Sequence, residues 1–128
     1  MTTPKKPSED ELNCAKMAVT SVSLAFNVAD KDVMGTTRIE NIAIARQAAY
    51  WILREAGMSW TMIAKTMKRK CHGTAMHGAQ HIESVLELGF NCKTAERIIV
   101  AFNHYKKFYG RYIELKVKRK SKELENAF

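Results

Sequence analysis

Both prolines of this 128-residue chain, Pro4 and Pro7, fall within its first seven residues. Proline removes a backbone donor and clashes with the preceding helical turn, so its confinement to the leader leaves the rest of the chain free for uninterrupted helix. Helical periodicity fills that space. Ser8-Glu9-Asp10-Glu11 has the S-x-x-E form of a capping box, and Leu12, Ala15, Val19, Val22 and Phe26 recur at intervals of three and four. The pattern predicts a first amphipathic helix ending near Asn27.

Asp30 to Gly35 reads as a turn or single helical turn with Val33 and Met34 as apolar contacts, and Gly35-Thr36-Thr37 as a loop leading to Arg38. A second long helix is expected from about Ile39 to Ala56, burying Ile42, Ala45, Ala49, Ile52, Leu53 and Ala56, with Gly57 as its left-handed terminator. Tyr50 and Trp51 read as packing residues. Ser59 then caps a short helix, Trp60 to Met67, that buries Ile63, Ala64 and Met67; a basic turn, Lys68-Arg69-Lys70-Cys71, follows. From His72, the residues Ala75, Ala79, Ile82 and Leu86, with a terminating Gly89, describe another helix. Two helices across a short turn make a helix-turn-helix between Ser59 and Leu88.

After a Phe90-Asn91-Cys92 link, Ala95, Ile98, Ile99, Phe102 and Tyr105 keep helical spacing from Thr94 to Phe108, and Gly110 reads as an interruption. Ile113 to Lys118 alternates as a strand does, but no other segment offers it a partner, so it is expected to be a helical extension or mobile arm. The organisation is thus a disordered lead (1–7), one all-α domain (8–110) and a basic extension (111–128), and 46% hydrophobic residues suffice for a single core.

The formal net charge of +8 points to an anionic partner: nucleic acid, a membrane surface or an acidic protein. Between Lys106 and Lys122, eight Lys or Arg face the single Glu114, a local net of +7 that leaves the remainder almost neutral. Tyr105, Phe108, Tyr109 and Tyr112 interleave with Lys106, Lys107 and Arg111, so the tail suits a phosphate clamp, a solubilising end or a docking segment. Cys14, Cys71 and Cys92 are odd in number and widely spaced, as expected of reduced thiols in a cytoplasmic protein, and no apolar run reaches the ~20 residues of a membrane span. No Ser-His-Asp or Cys-His arrangement and no G-x-x-x-x-G-K-[ST] phosphate loop occurs, so neither enzyme activity nor a cofactor is expected. Cys71, His72, His77 and His81 are metal-ligand types without a spacing that closes a tetrahedron, so no metal is expected; Cys71 in its basic turn also admits a redox role.

The stretch from Asn41 to Leu88 resembles the C-terminal DNA-binding domain of the bacterial replication initiator DnaA. The resemblance rests on Ala45-Arg46-Gln47, the Arg54-Glu55 pair, Ser59 with Ile63 four residues on, and His72-x-Thr74-x-x-His77 followed by Ile82-Glu83. Upstream, Phe26-x-Val28 and Asp32-Val33-Met34 extend it to roughly Val22 through Ile98. It implies an all-α, Trp-repressor-like helix-turn-helix domain whose partner is an initiator-like box of duplex DNA.

Within that resemblance, His72, Gly73, Thr74 and His77 fall where base edges are read in the major groove, and Arg38 falls on an arginine that reaches the adjacent minor groove. Arg46, Gln47 and Arg54 take the positions of a phosphate-contacting helix, with Lys68 and Lys70 gripping phosphates from the turn. The family's Asp-His-Thr-Thr start is Cys71-His72-Gly73-Thr74 here, which removes an N-cap carboxylate worth about 1 kcal/mol. The expected function is sequence-specific duplex binding that regulates replication initiation or transcription, as a reading head without an ATPase. The alternative is an interaction module that binds or competes with a replication initiator, its DNA contact vestigial.

Overall fold

A computed structural model describes residues 6–88 and 93–127. The expected terminator Gly89, the link Phe90-Asn91-Cys92 and most of the expected disordered lead lie outside the described residues. The elements are α1 (Glu9–Phe26), α2 (Asp30–Met34), α3 (Glu40–Glu55), α4 (Trp60–Thr66), α5 (His72–Leu88) and α6 (Lys93–Ala127), with no strand among the described residues. None of the described helices is long and apolar enough to cross a membrane.

Local signals start and stop these helices where their chemistry dictates. The Ser8 hydroxyl accepts from the Glu11 amide at 3.1 Å, and the Glu11 carboxylate accepts from the Ser8 amide at 2.9 Å, completing the capping box. Three helices end in one motif, a left-handed residue followed by an amide that turns back five residues to a carbonyl of the last turn. Asn27 (φ 55°) sets Val28 N–H on Ser23 O, Gly57 (φ 96°) sets Met58 N–H on Leu53 O, and Lys68 (φ 58°) sets Arg69 N–H on Ala64 O. The third directs the chain from α4 into the turn before α5.

One core joins all six helices. Val19, Val22 and Phe26 of α1 pack in one cluster with Val33 of α2, Ile52 and Leu53 of α3, Ile63 of α4 and Met67 at its end, Ile82 of α5, and Ile98 and Tyr105 of α6. Trp51 meets Phe102 edge-on at 5.1 Å, a packing role as expected. The apolar stripes expected on α1, α3 and α6 are narrower than their spacing suggested: Leu12 and Ile99 are exposed, as is Ala56. α5 packs along α3 and α4, while α6 packs chiefly along α1.

α6 corrects one expectation, the break at Gly110, and bears out another, the helical extension beyond it. Gly110 does not interrupt it, and Ile113 to Lys118 continues as helix, because a helix satisfies its own backbone whereas an unpartnered strand cannot. At 35 residues it is about 52 Å long, given 1.5 Å per residue. It runs antiparallel to α1: near its start Arg97 donates to Asn41 Oδ1 at 3.4 Å, and Asn41 of α3 in turn donates to Phe26 O at the end of α1 at 3.0 Å, while Lys116 Nζ meets Asp10 Oδ2 near the start of α1 at 2.6 Å. Tyr112 also donates its hydroxyl to Asp10.

The Lys116 and Tyr112 hydrogen bonds hold the Asp10 carboxyl below its ordinary range. A depressed carboxylate pKa stabilises the fold only while the group is ionised, so this tie is present above the unfolded value near pH ~4 and is lost as pH falls through the folded one. Lower protection of the amides of residues 112–120, relative to their intrinsic exchange rates, is therefore expected below about pH 4. Asp10→Asn is expected to give the same result at neutral pH; protection unchanged by both treatments counts against the tie.

Candidate nucleic-acid interface

The site is built on α5. Ala75, Ala79 and Ile82 form its buried stripe, and on a helix of 3.6 residues per turn the opposite face carries Gly73, His77 and Gln80. His72, Thr74, His77 and Gln80 are exposed, and Gly73 is half-buried. At the helix start, Cys71 stands before His72 where the resemblance puts an aspartate. The Cys71 thiol lies 3.7 Å from the Thr74 hydroxyl. The backbone amide of Thr74, its hydroxyl and the amide of Gly73 push the thiol's pKa down.

Gly78 is where α5 meets α3 most closely, since a Cβ there stands 2.8 Å from Tyr50 Cδ2 and 3.0 Å from Gln47 Cγ. That approach creates a groove of about 290 Å³, lined by Arg46, Gln47, Tyr50, Arg69, Thr74 and His77 among others. Gln47 Oε1 lies 2.6 Å from His81 Nδ1, holding both polar side chains beside the groove. The Tyr50 hydroxyl is buried without a hydrogen-bond partner, and burial pushes its pKa up.

Arg46 is not placed as expected. Instead of facing outward to a phosphate it is 8% exposed, and its guanidinium donates to Val33 O at 2.7 Å, Asp32 O at 2.8 Å and Thr37 O at 3.0 Å. A five-residue helix leaves its last carbonyls short of intrahelical partners, and the planar fork of arginine fits two of them together with Thr37 O of the loop that follows. Arg46 therefore positions the segment that leads into Arg38, which itself is exposed.

Lys68 and Lys70 are exposed on the turn between α4 and α5. Arg54 is exposed but set apart from the groove: its guanidinium sits 4.5 Å over the Trp60 ring and donates to Met58 O at 3.3 Å. Arg69 and Gln80 went unnoticed in the sequence. The Lys-Arg-Lys run marked the turn, but nothing in it indicated that Arg69 reaches Met34, 35 positions away. Among the described residues, no group of three or more His, Cys, Asp or Glu is placed to hold a metal ion.

A family model described as bacterial dnaA protein helix-turn-helix matches residues 16–82, more than half of the chain. The chain belongs to the bacterial DnaA helix-turn-helix family. The match takes in α2, α3 and α4 whole, the turn and the first turns of α5, so every candidate contact residue lies within DnaA-like sequence. Membership of a DnaA helix-turn-helix family points to DNA binding. No match to a curated protein was found.

Proposed function

We propose that the chain reads duplex DNA in a sequence-specific manner at initiator-like boxes, and so regulates replication initiation or transcription in the bacterial cytoplasm. The observation that carries this reading is the exposed polar face of α5, opposite its buried stripe, in a helix-turn-helix whose preceding Arg38 loop is tied to α3 through Arg46. His72, Gly73, Thr74 and His77 face base edges in the major groove, where each base pair presents a distinct donor and acceptor pattern. Arg38 enters the neighbouring minor groove and senses its width. Gln47, Arg54, Lys68 and Lys70 grip phosphates, which sets register without reading sequence.

Fluorescence anisotropy with an initiator box, mutated boxes and random duplex, at several salt concentrations, tests the reading. The box is expected to bind tightest; equal weak affinity for all three refutes it. His77→Ala is expected to relax discrimination about tenfold or more, the loss of one base-edge contact. Lys70→Ala is expected to weaken all duplexes alike and to flatten the salt dependence of log K by about 0.9.

A further inference from the structure

The carbonyls at the end of α2 face two arginines rather than one. Arg46 of α3 takes Asp32 O, Val33 O and Thr37 O, and Arg69 donates through Nη2 to Met34 O. The same guanidinium donates through Nε to Met67 O at 2.9 Å, so Arg69 joins the end of α4 to the end of α2. Its backbone is held as well: the left-handed Lys68 directs the Arg69 amide onto Ala64 O at 2.7 Å. Three residues after Arg69 the reading helix begins, and four residues after Met34 stands Arg38. Arg69 is thus the side chain that ties the turn before α5 to the segment before Arg38, and it lines the groove that Thr74 and His77 also line.

We infer that Arg69 is a specificity-positioning residue, locking the Arg38 loop to the turn before α5 so that the minor-groove probe and the major-groove helix keep one fixed separation. The inference rests on the DNA-reading function proposed above. Two hydrogen bonds in a planar fork from one side chain give it this capacity; a lysine at the same place carries the charge without the fork. Charge and geometry can therefore be separated. A phosphate-gripping Arg69 depends on the first, a positioning Arg69 on the second.

The test compares Arg69→Lys and Arg69→Gln with the parent chain, with urea unfolding to confirm that each variant folds. In the free protein, exchange of the Gly35 and Ile39 amides, bonded to Asp32 O and Thr37 Oγ1, is expected to accelerate about tenfold or more in both variants, because Met34 before them loses its tie to the turn. Binding is read with the duplex recovered by selection of bound sequences, altered either at the end the Arg38 loop covers or at the α5-read positions. Both variants are expected to lose most discrimination at the Arg38 end, keep it at the α5 positions, and leave the salt slope unchanged.

Parent-like exchange and base preference in Arg69→Lys overturn the inference. So does a uniform loss of affinity with a flatter salt slope confined to Arg69→Gln, the signature of a phosphate contact. Failure of the underlying reading looks different. The parent chain then discriminates no duplex, and the specificity role falls with it, while exchange in the absence of DNA still reports whether Arg69 holds the loop.

Discussion

Replacing Arg46 by Met is expected to destabilise the fold by about 3 kcal/mol or more, the scale of several charge-assisted hydrogen bonds lost inside a protein. Met keeps most of the side-chain stem and removes only the guanidinium, so packing changes little. Val33 O and Thr37 O lose the arginine donor and Asp32 O keeps only the Gly35 amide, and a buried acceptor such as Val33 O costs more when orphaned than the bond itself contributed. In urea the midpoint is expected to fall by about 1–2 M at constant slope. Arg46→Lys is expected to recover only part of the loss, since a compact ammonium does not reproduce the fork. A phosphate contact on the surface behaves oppositely: its removal weakens DNA binding and leaves the midpoint in place. A Met variant as stable as the parent therefore removes Arg46 from the structural role described above.

Alanine at Gly78 and alanine at Gly110 are expected to shift stability in opposite directions, although both glycines lie within helices. Either substitution gains about 0.5–1 kcal/mol of helix propensity. At Gly110 nothing stands within 4 Å of the new Cβ, so that gain is expected to appear whole, as a higher unfolding midpoint. At Gly78 the Cβ meets the ring of Tyr50, a bulky side chain that is 2% exposed. Overpacking of this kind costs about 1–3 kcal/mol, which outweighs the propensity gain. The same push separates α5 from α3 where Gln47 and His81 meet, so weaker DNA binding is expected to accompany the lower midpoint. Stabilisation by Gly78→Ala contradicts the close approach of the two helices.

Much of the fold was legible because its determinants are local. The capping box at Ser8, the terminator at Gly57 and the cap at Ser59 need only neighbours in sequence, and each stands where the chain's chemistry implied. The buried stripe of α5 was legible from spacing, and its opposite face follows from helix geometry. What escaped notice depends on distant partners. Arg46 is a charged residue in a polar position, and its burial makes sense only once the carbonyls of α2, 13 and 14 positions earlier, are brought to it. Gly110 reads as a break because glycine weakens helices, yet the tie from Asp10 to Tyr112 and Lys116 holds the helix beyond it. Leu12 fits its stripe by spacing but stands exposed, a matter of which neighbours the other helices supply rather than of period.

The double arginine grip on the end of α2 bears on the thermodynamics of DNA recognition as well as on its geometry. A basic loop that is free in solution must lose its conformational entropy when it enters a groove, at about 1–2 kcal/mol for each residue fixed. Here the loop before Arg38 is ordered as the chain folds, by donors that belong to the protein itself. Association then begins from a preorganised surface, and the enthalpy of groove contacts is less offset by ordering of the reader.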